Sequence, residues 1–320
     1  MRTKLMLTII TFNPSIDRLY KLDTFEVGSV QRANFVNPTA GGKGLNVAKV
    51  VNKLGETPTC LGFLGGFNGS YIENEIEKIG LKNEFTKIDG ETRICLNIID
   101  KNGVSTEVLE KGPIVNEENI KKFEDKLEEV LKDTKVLVAS GSLLAGLPKE
   151  YYSKVGKLCN DKGVKFILDT SGQSLELALD SNIYLIKPNQ DELEYLAKSK
   201  INSKEDAINA ARSLIDKGIE NVCVSMGKDG MILLNKDNVY EVEIPTIDAL
   251  NPVGSGDSSI AGFAYGVLKN YDLEECLKLA NACGMSNALY METGHIKLDD
   301  IEKFKNYIKI NKHKNSKVNI

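Results

Sequence analysis

Short apolar runs rich in β-branched residues alternate with stretches of helical spacing along most of the chain. The runs at 136–139, 164–168, 183–186 and 222–225 are the kind of nearly continuous hydrophobic segment that forms a strand covered on both faces. Between and around them, 117–131, 149–161, 190–197 and 204–217 place apolar residues three and four apart, the period of an amphipathic helix. Strands alternating with helices predict βαβ units, and these build a mostly parallel sheet. Right-handed crossovers then put helices on both faces of it.

Two regions break the rhythm. Segments 16–22 and 31–36, and again 93–100 and 105–109, read as strands with no helix between them. The second pair is joined by Lys101-Asn102-Gly103, a hairpin signal. These strands predict a small separate sheet that can serve as a lid, or pair through its exposed face with another subunit. The expected division is a core of 1–12, 41–90 and 113–320, and a discontinuous lid of 13–40 and 91–112. At the amino terminus, the apolar run 5–10 reads as a first buried strand, too short for a secretory signal or a bilayer span. A cytoplasmic protein is expected. Residues 303–320 are rich in Lys and Asn and read as a helix followed by a frayed tail.

Composition narrows the partners. The chain has 320 residues and a formal net charge of −4, with no long basic block, so an electrostatic grip on nucleic acid is not expected. An anionic substrate would need locally placed cations. The six cysteines are scattered with no Cys-x-x-Cys pair, and only two histidines are present, which argues against a zinc or redox centre. Single cysteines in apolar settings such as Val222-Cys223-Val224 read as buried thiols.

Candidate chemistry lies in three segments. In Asn251-Pro252-Val253-Gly254-Ser255-Gly256-Asp257, a glycine-rich turn leads directly into an apolar helix of small residues. Such a turn aims backbone N–H groups and the positive end of the helix dipole into one space, an anion hole. Asp257 at the helix start is a candidate base, and equally a candidate helix cap. In Thr39-Ala40-Gly41-Gly42-Lys43-Gly44-Leu45-Asn46, glycines allow close backbone approach, with a cation and an amide beside them; an ordinary turn with a solvated lysine fits the composition as well. Asn13-Pro14-Ser15-Ile16-Asp17 follows the first strand, where open α/β sheets bind ligands, and Asp17 suits sugar hydroxyls or a plain turn. Neither a Walker A loop nor a Gly-x-Gly-x-x-Gly fingerprint is present, which disfavours a nicotinamide enzyme.

Together these segments resemble the ribokinase-like carbohydrate kinases of the PfkB type, from about Thr11 to Thr293. Gly41 to Asn46 is similar to the amino-terminal signature of that family, and Asn251 to Gly262 to its carboxy-terminal one. Asn13 to Asp17, Thr39-Ala40 and Asn251 to Ser255 most resemble the phosphosugar branch of tagatose-6-phosphate kinases and 1-phosphofructokinases, leaning to the former. A departure is Val30-Gln31-Arg32, where those relatives carry Val-Asn-Arg. The resemblance implies a three-layer αβα core with a β lid, and ATP-dependent phosphorylation of a ketohexose phosphate. Tagatose 6-phosphate is the first expectation and fructose 1-phosphate the alternative, ahead of a nucleoside or vitamin kinase of the same fold and a non-catalytic sugar-phosphate sensor. It implies Asp257 as base and the N–H groups of Gly254, Ser255 and Gly256 as the anion hole. It assigns Asp17, Gly41, Gly42 and Asn46 to the sugar, and Lys43 and Arg93 to its phosphate. Lys187, Asn189 and Glu192 fall where Mg²⁺ and its waters are organised near the ATP phosphates. Ser225, Gly227 and Gly230 match a nucleotide-binding loop, and Asn281 the adenine pocket. A homodimer joined through the lid is also implied.

Overall fold

A computed structural model describes residues 6–315; Leu5 of the first apolar run and residues 316–320 of the tail lie outside the described residues. The chain begins β1 (Met6–Thr11), β2 (Ser15–Lys21), β3 (Phe35–Gly41), α1 (Lys43–Lys53), β4 (Thr59–Gly65) and α2 (Gly66–Lys78). There follow β5 (Lys82–Asn83), β6 (Thr86–Ile88), β7 (Arg93–Ile99), β8 (Ser105–Leu109), α3 (Glu117–Leu131), β9 (Thr134–Ser140) and α4 (Tyr151–Asp161). Next come β10 (Lys165–Asp169), α5 (Gly172–Ala178), β11 (Leu185–Ile186), α6 (Gln190–Ala197), α7 (Lys204–Ile215) and β12 (Asn221–Ser225). The remainder is β13 (Met231–Asn235), β14 (Asn238–Glu243), α8 (Ser255–Leu268), α9 (Leu273–Ala288), α10 (Leu298–Lys305) and β15 (Lys309–Lys314).

The apolar runs become the middle of one large sheet, ordered β15-β14-β13-β12-β11-β10-β9-β1-β4-β5, with β6 also paired to β4. Neighbours from β12 to β5 are parallel. The last three strands are added antiparallel. In β9 every residue but Lys135 is buried, because alternate side chains enter separate cores. Ile9 and Val138 pack against α1, α2, α8, α9 and α10, whereas Ile10 and Leu137 pack against α3 to α7. Helices therefore cover both faces, giving the expected three layers. Capping fixes several starts: Asn116 with Asn119 and Asn189 with Glu192 form capping boxes on α3 and α6. All six cysteines are buried and unpaired. Among the described residues, no helix is long and apolar enough to cross a membrane.

The smaller sheet has the order β3-β2-β7-β8. Its β7–β8 hairpin turns where Asp100 Oδ1 accepts the N–H groups of Asn102 and Val104, with Gly103 at φ 79°. One strand lies later than the sequence suggests. Instead of 31–36, β3 is Phe35–Gly41, paired with β2 from Lys21↔Phe35 to Ser15↔Gly41. Pro38 is tolerated inside it because β3 is an edge strand, where a missing N–H breaks no ladder. The tail also differs. Residues 309–314 are not frayed but form β15, antiparallel to β14, with Ile310 opposite Val242. Its lysines keep this sheet edge charged.

Candidate active site

Parallel strands all end on the same side of the sheet, and their carboxyl ends open into a cleft of about 580 Å³. Thr11 ends β1, Ser140 ends β9, Asp169 ends β10, Lys187 follows β11 and Ser225 ends β12, and all of them line it. The smaller sheet supplies the opposite wall, including Asp17, Thr39 and Arg93.

The turn before α8 is held from two sides. Asn251 accepts the Val253 N–H at 3.1 Å and donates to the Met291 carbonyl at 2.9 Å. Asn287, fully buried on α9, donates to Val253 O at 2.9 Å and accepts from Gly294 N at 2.8 Å and Ser258 Oγ at 3.2 Å. Gly254 adopts φ +83°, a left-handed conformation, and a Cβ there would press on Thr293 and Asn287. Within this turn Ser255 N–H donates to Pro252 O at 3.2 Å. The N–H groups of Gly254, Gly256 and Asp257 have no acceptor among the described residues. Ser255 N–H is thus engaged inside the turn, and the N–H of Asp257 takes its place among the open donors of the expected anion hole.

Asp257 is not the cap of α8. The N-cap is Gly254 and no side chain caps the helix. The Asp257 carboxylate, 6% exposed, instead accepts Asn46 Nδ2 at 2.9 Å from across the site. Burial pushes this carboxyl up to about 7, and the negative Asp169 adds to the rise; the Asn46 hydrogen bond, Lys43 and Lys187 pull it back. Asp169 lies between two cations, 3.9 Å from Lys43 Nζ and 4.0 Å from Lys187 Nζ. Asp169 raises the Lys43 pKa, burial opposes this, and Asp257 and Glu192 add smaller upward pulls. A Cβ on Gly256 would sit 3.3 Å from Lys187 Nζ, so that ammonium lies directly beside the first turn of α8. Two cations and open N–H donors beside a carboxyl that changes charge near neutrality can hold a polyphosphate and accept a proton.

A family model described as pfkB family carbohydrate kinase matches residues 10–300, which includes the cleft and both of its walls. The chain belongs to this family. Tagatose-6-phosphate kinases from two strains of Staphylococcus epidermidis are each 44% identical over 308 residues, covering 95% of this chain and 99% of theirs. The crystal structure of phosphofructokinase-2 from Escherichia coli in complex with potassium superposes with a TM-score of 0.90 at 26% identity, covering 94% of this chain and 98% of that one. A Thermotoga maritima structure described as a possible 1-phosphofructokinase gives 0.88 at 25% identity, covering 96% and 99%.

Of the positions singled out in this pfkB chain, the fold brings Asp17, Gly42, Lys43, Asn46, Arg93 and Lys187 to the cleft. Asn189, Glu192, Ser225, Gly254, Gly256 and Asp257 also line it. Gly41 lies beneath Asp17, where a Cβ would come within 2.1 Å of its carboxylate. Asp17 itself is fixed by Ser15 Oγ at 2.6 Å. Arg93 spends two donors on the carbonyls of Asn13 and Glu110, at 3.0 and 3.2 Å, and its Nε is buried without a partner. Asn189 and Glu192 cap α6 with each other and also line the cleft. Gly227 and Gly230 bound a short turn after β12 but do not line the cleft. Asn281 does not reach it either: it is buried in α9 and donates to Leu277 O at 2.8 Å.

The sequence reading missed Asp169, Ser140 and Asn287. Asp169 and Ser140 were detectable as polar residues closing apolar runs, the place where parallel strands present their ligand side. For Asn287 the only signal was an amide within a helix of small apolar residues.

Proposed function

We propose that this pfkB kinase transfers the γ-phosphoryl group of ATP to tagatose 6-phosphate, yielding tagatose 1,6-bisphosphate. The observation that carries the reading is the 44% identity to tagatose-6-phosphate kinases over nearly the full length of both chains. The cleft supports it chemically. Asp257 takes the proton of the attacking hydroxyl, and a carboxyl near 7 is matched to that task. Asn46, bonded to Asp257, and Asp17, fixed by Ser15, orient the sugar. Lys43 and Arg93 hold its existing phosphate. The open N–H groups of Gly254, Gly256 and Asp257, with Lys187 beside them, face the charge that develops on the transferred group.

Among the described residues there is no group of three or more His, Cys, Asp or Glu side chains able to hold a metal. Asp169 and Glu192 face the cleft as single carboxylates. These residues fit Mg²⁺ carried by the ATP phosphates and water, with Glu192 and Asn189 meeting its waters. Such an ion supplies charge neutralisation to the triphosphate. The smaller sheet, 13–40 and 91–112, acts as the lid of the core formed by 1–12, 41–90 and 113–320. Its exposed Val27, Val30, Val104 and Val108 favour pairing with a second copy. Light scattering of the purified protein tests that dimer. The use of ATP and a sugar phosphate as substrates supports a cytoplasmic enzyme.

Fructose 1-phosphate is the second reading, favoured by the likeness to the Thermotoga maritima structure. A coupled ADP-release assay over tagatose 6-phosphate, fructose 1-phosphate, fructose 6-phosphate and ribose separates them. The highest kcat/KM on tagatose 6-phosphate is expected. Preference for ribose would overturn the sugar-phosphate reading.

A further inference from the structure

The chain crosses between the large sheet and the small one at 12–14, 42, 89–92 and 110–116. Two of these crossings are fixed to the core. Phe12, fully buried, packs on the rings of Phe63, Phe123, Tyr151 and Tyr152 at 5.1 to 6.0 Å. The Glu91 carboxylate accepts the N–H groups of Phe67 and Asn68 at the start of α2, each at 3.1 Å, and Thr92 Oγ1 accepts Gly65 N at 2.9 Å. Arg93 follows directly. Its Nη2 donates to Asn13 O in the first crossing and its Nη1 to Glu110 O in the last. The Asn13 side chain closes the loop between these two acceptors, since its Nδ2 donates to Lys111 O at 3.1 Å and reaches Ser142 Oγ at 3.5 Å. Asn13 is 8% exposed, and its Oδ1 is buried with no partner among the described residues. That oxygen faces Gly112, at φ +88°, where a Cβ would come within 2.6 Å of it. The amide is therefore spent on the crossings and is not offered to a ligand, although Asn13 lines the cleft.

We propose that Asn13 is a positioning residue for substrate recognition: its amide bridges the two crossings whose carbonyls orient the Arg93 guanidinium toward the phosphate of the sugar. The inference rests on the reading that Arg93 holds that phosphate. A guanidinium carries five N–H donors in a rigid fork, and the two carbonyls take only two of them. Each terminal nitrogen keeps a second hydrogen for an anion in the cleft. A long side chain held in one geometry beforehand loses less rotamer freedom when its ligand arrives, which tightens binding. Without the Asn13 amide, 110–112 and 12–14 lose their direct side-chain tie, and the spacing of the two carbonyls is no longer set. Arg93 then keeps its charge but loses its aim.

Steady-state kinetics of the full chain in a double-mutant cycle tests this, with tagatose 6-phosphate and ATP varied in turn. Asn13→Ala is expected to raise KM for tagatose 6-phosphate about tenfold, the scale of one lost hydrogen bond, with kcat and KM for ATP within about twofold of the parent. A merely structural loss would lower kcat or disturb both substrates. Made on top of Arg93→Ala, the same change is expected to cost nothing further in kcat/KM, because the group through which it acts is gone. Initial slopes give that ratio even where the double variant is not saturated. Gly112→Ala drives a Cβ toward Asn13 Oδ1 and is expected to raise the same KM, so it decides the matter if Asn13→Ala fails to fold. The proposal is overturned if Asn13→Ala lowers kcat/KM by the same factor with and without Arg93, or leaves KM for tagatose 6-phosphate as in the parent. An Arg93→Ala protein with the parent's KM for tagatose 6-phosphate would instead overturn the Arg93 reading, and this inference with it.

Discussion

Asp257→Asn should make the protein more stable above neutral pH while removing most of its turnover. The carboxyl has a pKa of 3.8 in the unfolded chain and about 7 in the folded one, a rise of about three units. Between those values the folded state keeps a proton that the unfolded chain has lost, so stability declines as pH rises through this window. Below it there is no penalty; above pH 7 the whole penalty is present. At about 1.4 kcal/mol per unit it amounts to about 4 kcal/mol, a large share of a typical domain's ~5–15 kcal/mol. Asparagine has the same shape, carries no charge and keeps an oxygen for Asn46 Nδ2. Urea denaturation of both proteins at several pH values reads the effect directly. The variant's advantage should grow by about 2 kcal/mol between pH 5.5 and pH 8. Turnover should fall about 10²- to 10⁴-fold with KM for ATP little changed. In the parent, kcat/KM should climb with pH and level off above about 7. An advantage that is the same at both pH values would refute the buried-charge reasoning. Near-normal turnover in a folded variant would refute the role of Asp257 as base.

Arg93→Ala should raise KM for the sugar phosphate steeply and leave KM for ATP almost unchanged; steady-state kinetics with each substrate varied in turn would show an equal rise in both if the assignment is wrong. Gly41→Ala forces a Cβ into the Asp17 carboxylate and should likewise raise the sugar-phosphate KM, with the melting temperature nearly unchanged because the atoms displaced end a side chain. Asn287→Ala removes bonds to Val253, Ser258 and Gly294, and leaves Val253 O and Gly294 N without their partner. A loss of about 2–3 kcal/mol in chemical denaturation is expected, together with reduced kcat, since the same side chain holds the turn that presents the open N–H groups.

How much of this was legible depends on the range of the signal. Helix α3, Glu117–Leu131, and α6, Gln190–Ala197, fall where their apolar spacing puts them, because that signal is written within a few turns of chain. Strand β15 was not legible. Its partner β14 lies some 70 residues earlier, and no turn or local pattern announces the pairing. Likewise, the Gly254-to-Asp257 segment declared an anion hole, yet which N–H groups stay open depended on the hydrogen bond from Ser255 to Pro252. For Asn281 the family resemblance implied the adenine pocket, and only the fold showed that its place in α9 turns the amide inward to Leu277.

From its residues alone, this chain specified alternating strands and helices, a small second sheet, and two glycine-rich segments suited to phosphate and sugar. Each is a local matter of periodicity, backbone freedom and side-chain chemistry. Only the folded molecule decided that Asn46 and Asp257, 211 residues apart, share a hydrogen bond, and that Asp169 comes to lie between Lys43 and Lys187. Parallel topology gathers the strand ends on one side, and burial there moves the Asp257 carboxyl towards neutrality. Those effects follow from distance and desolvation in three dimensions, which sequence spacing does not encode.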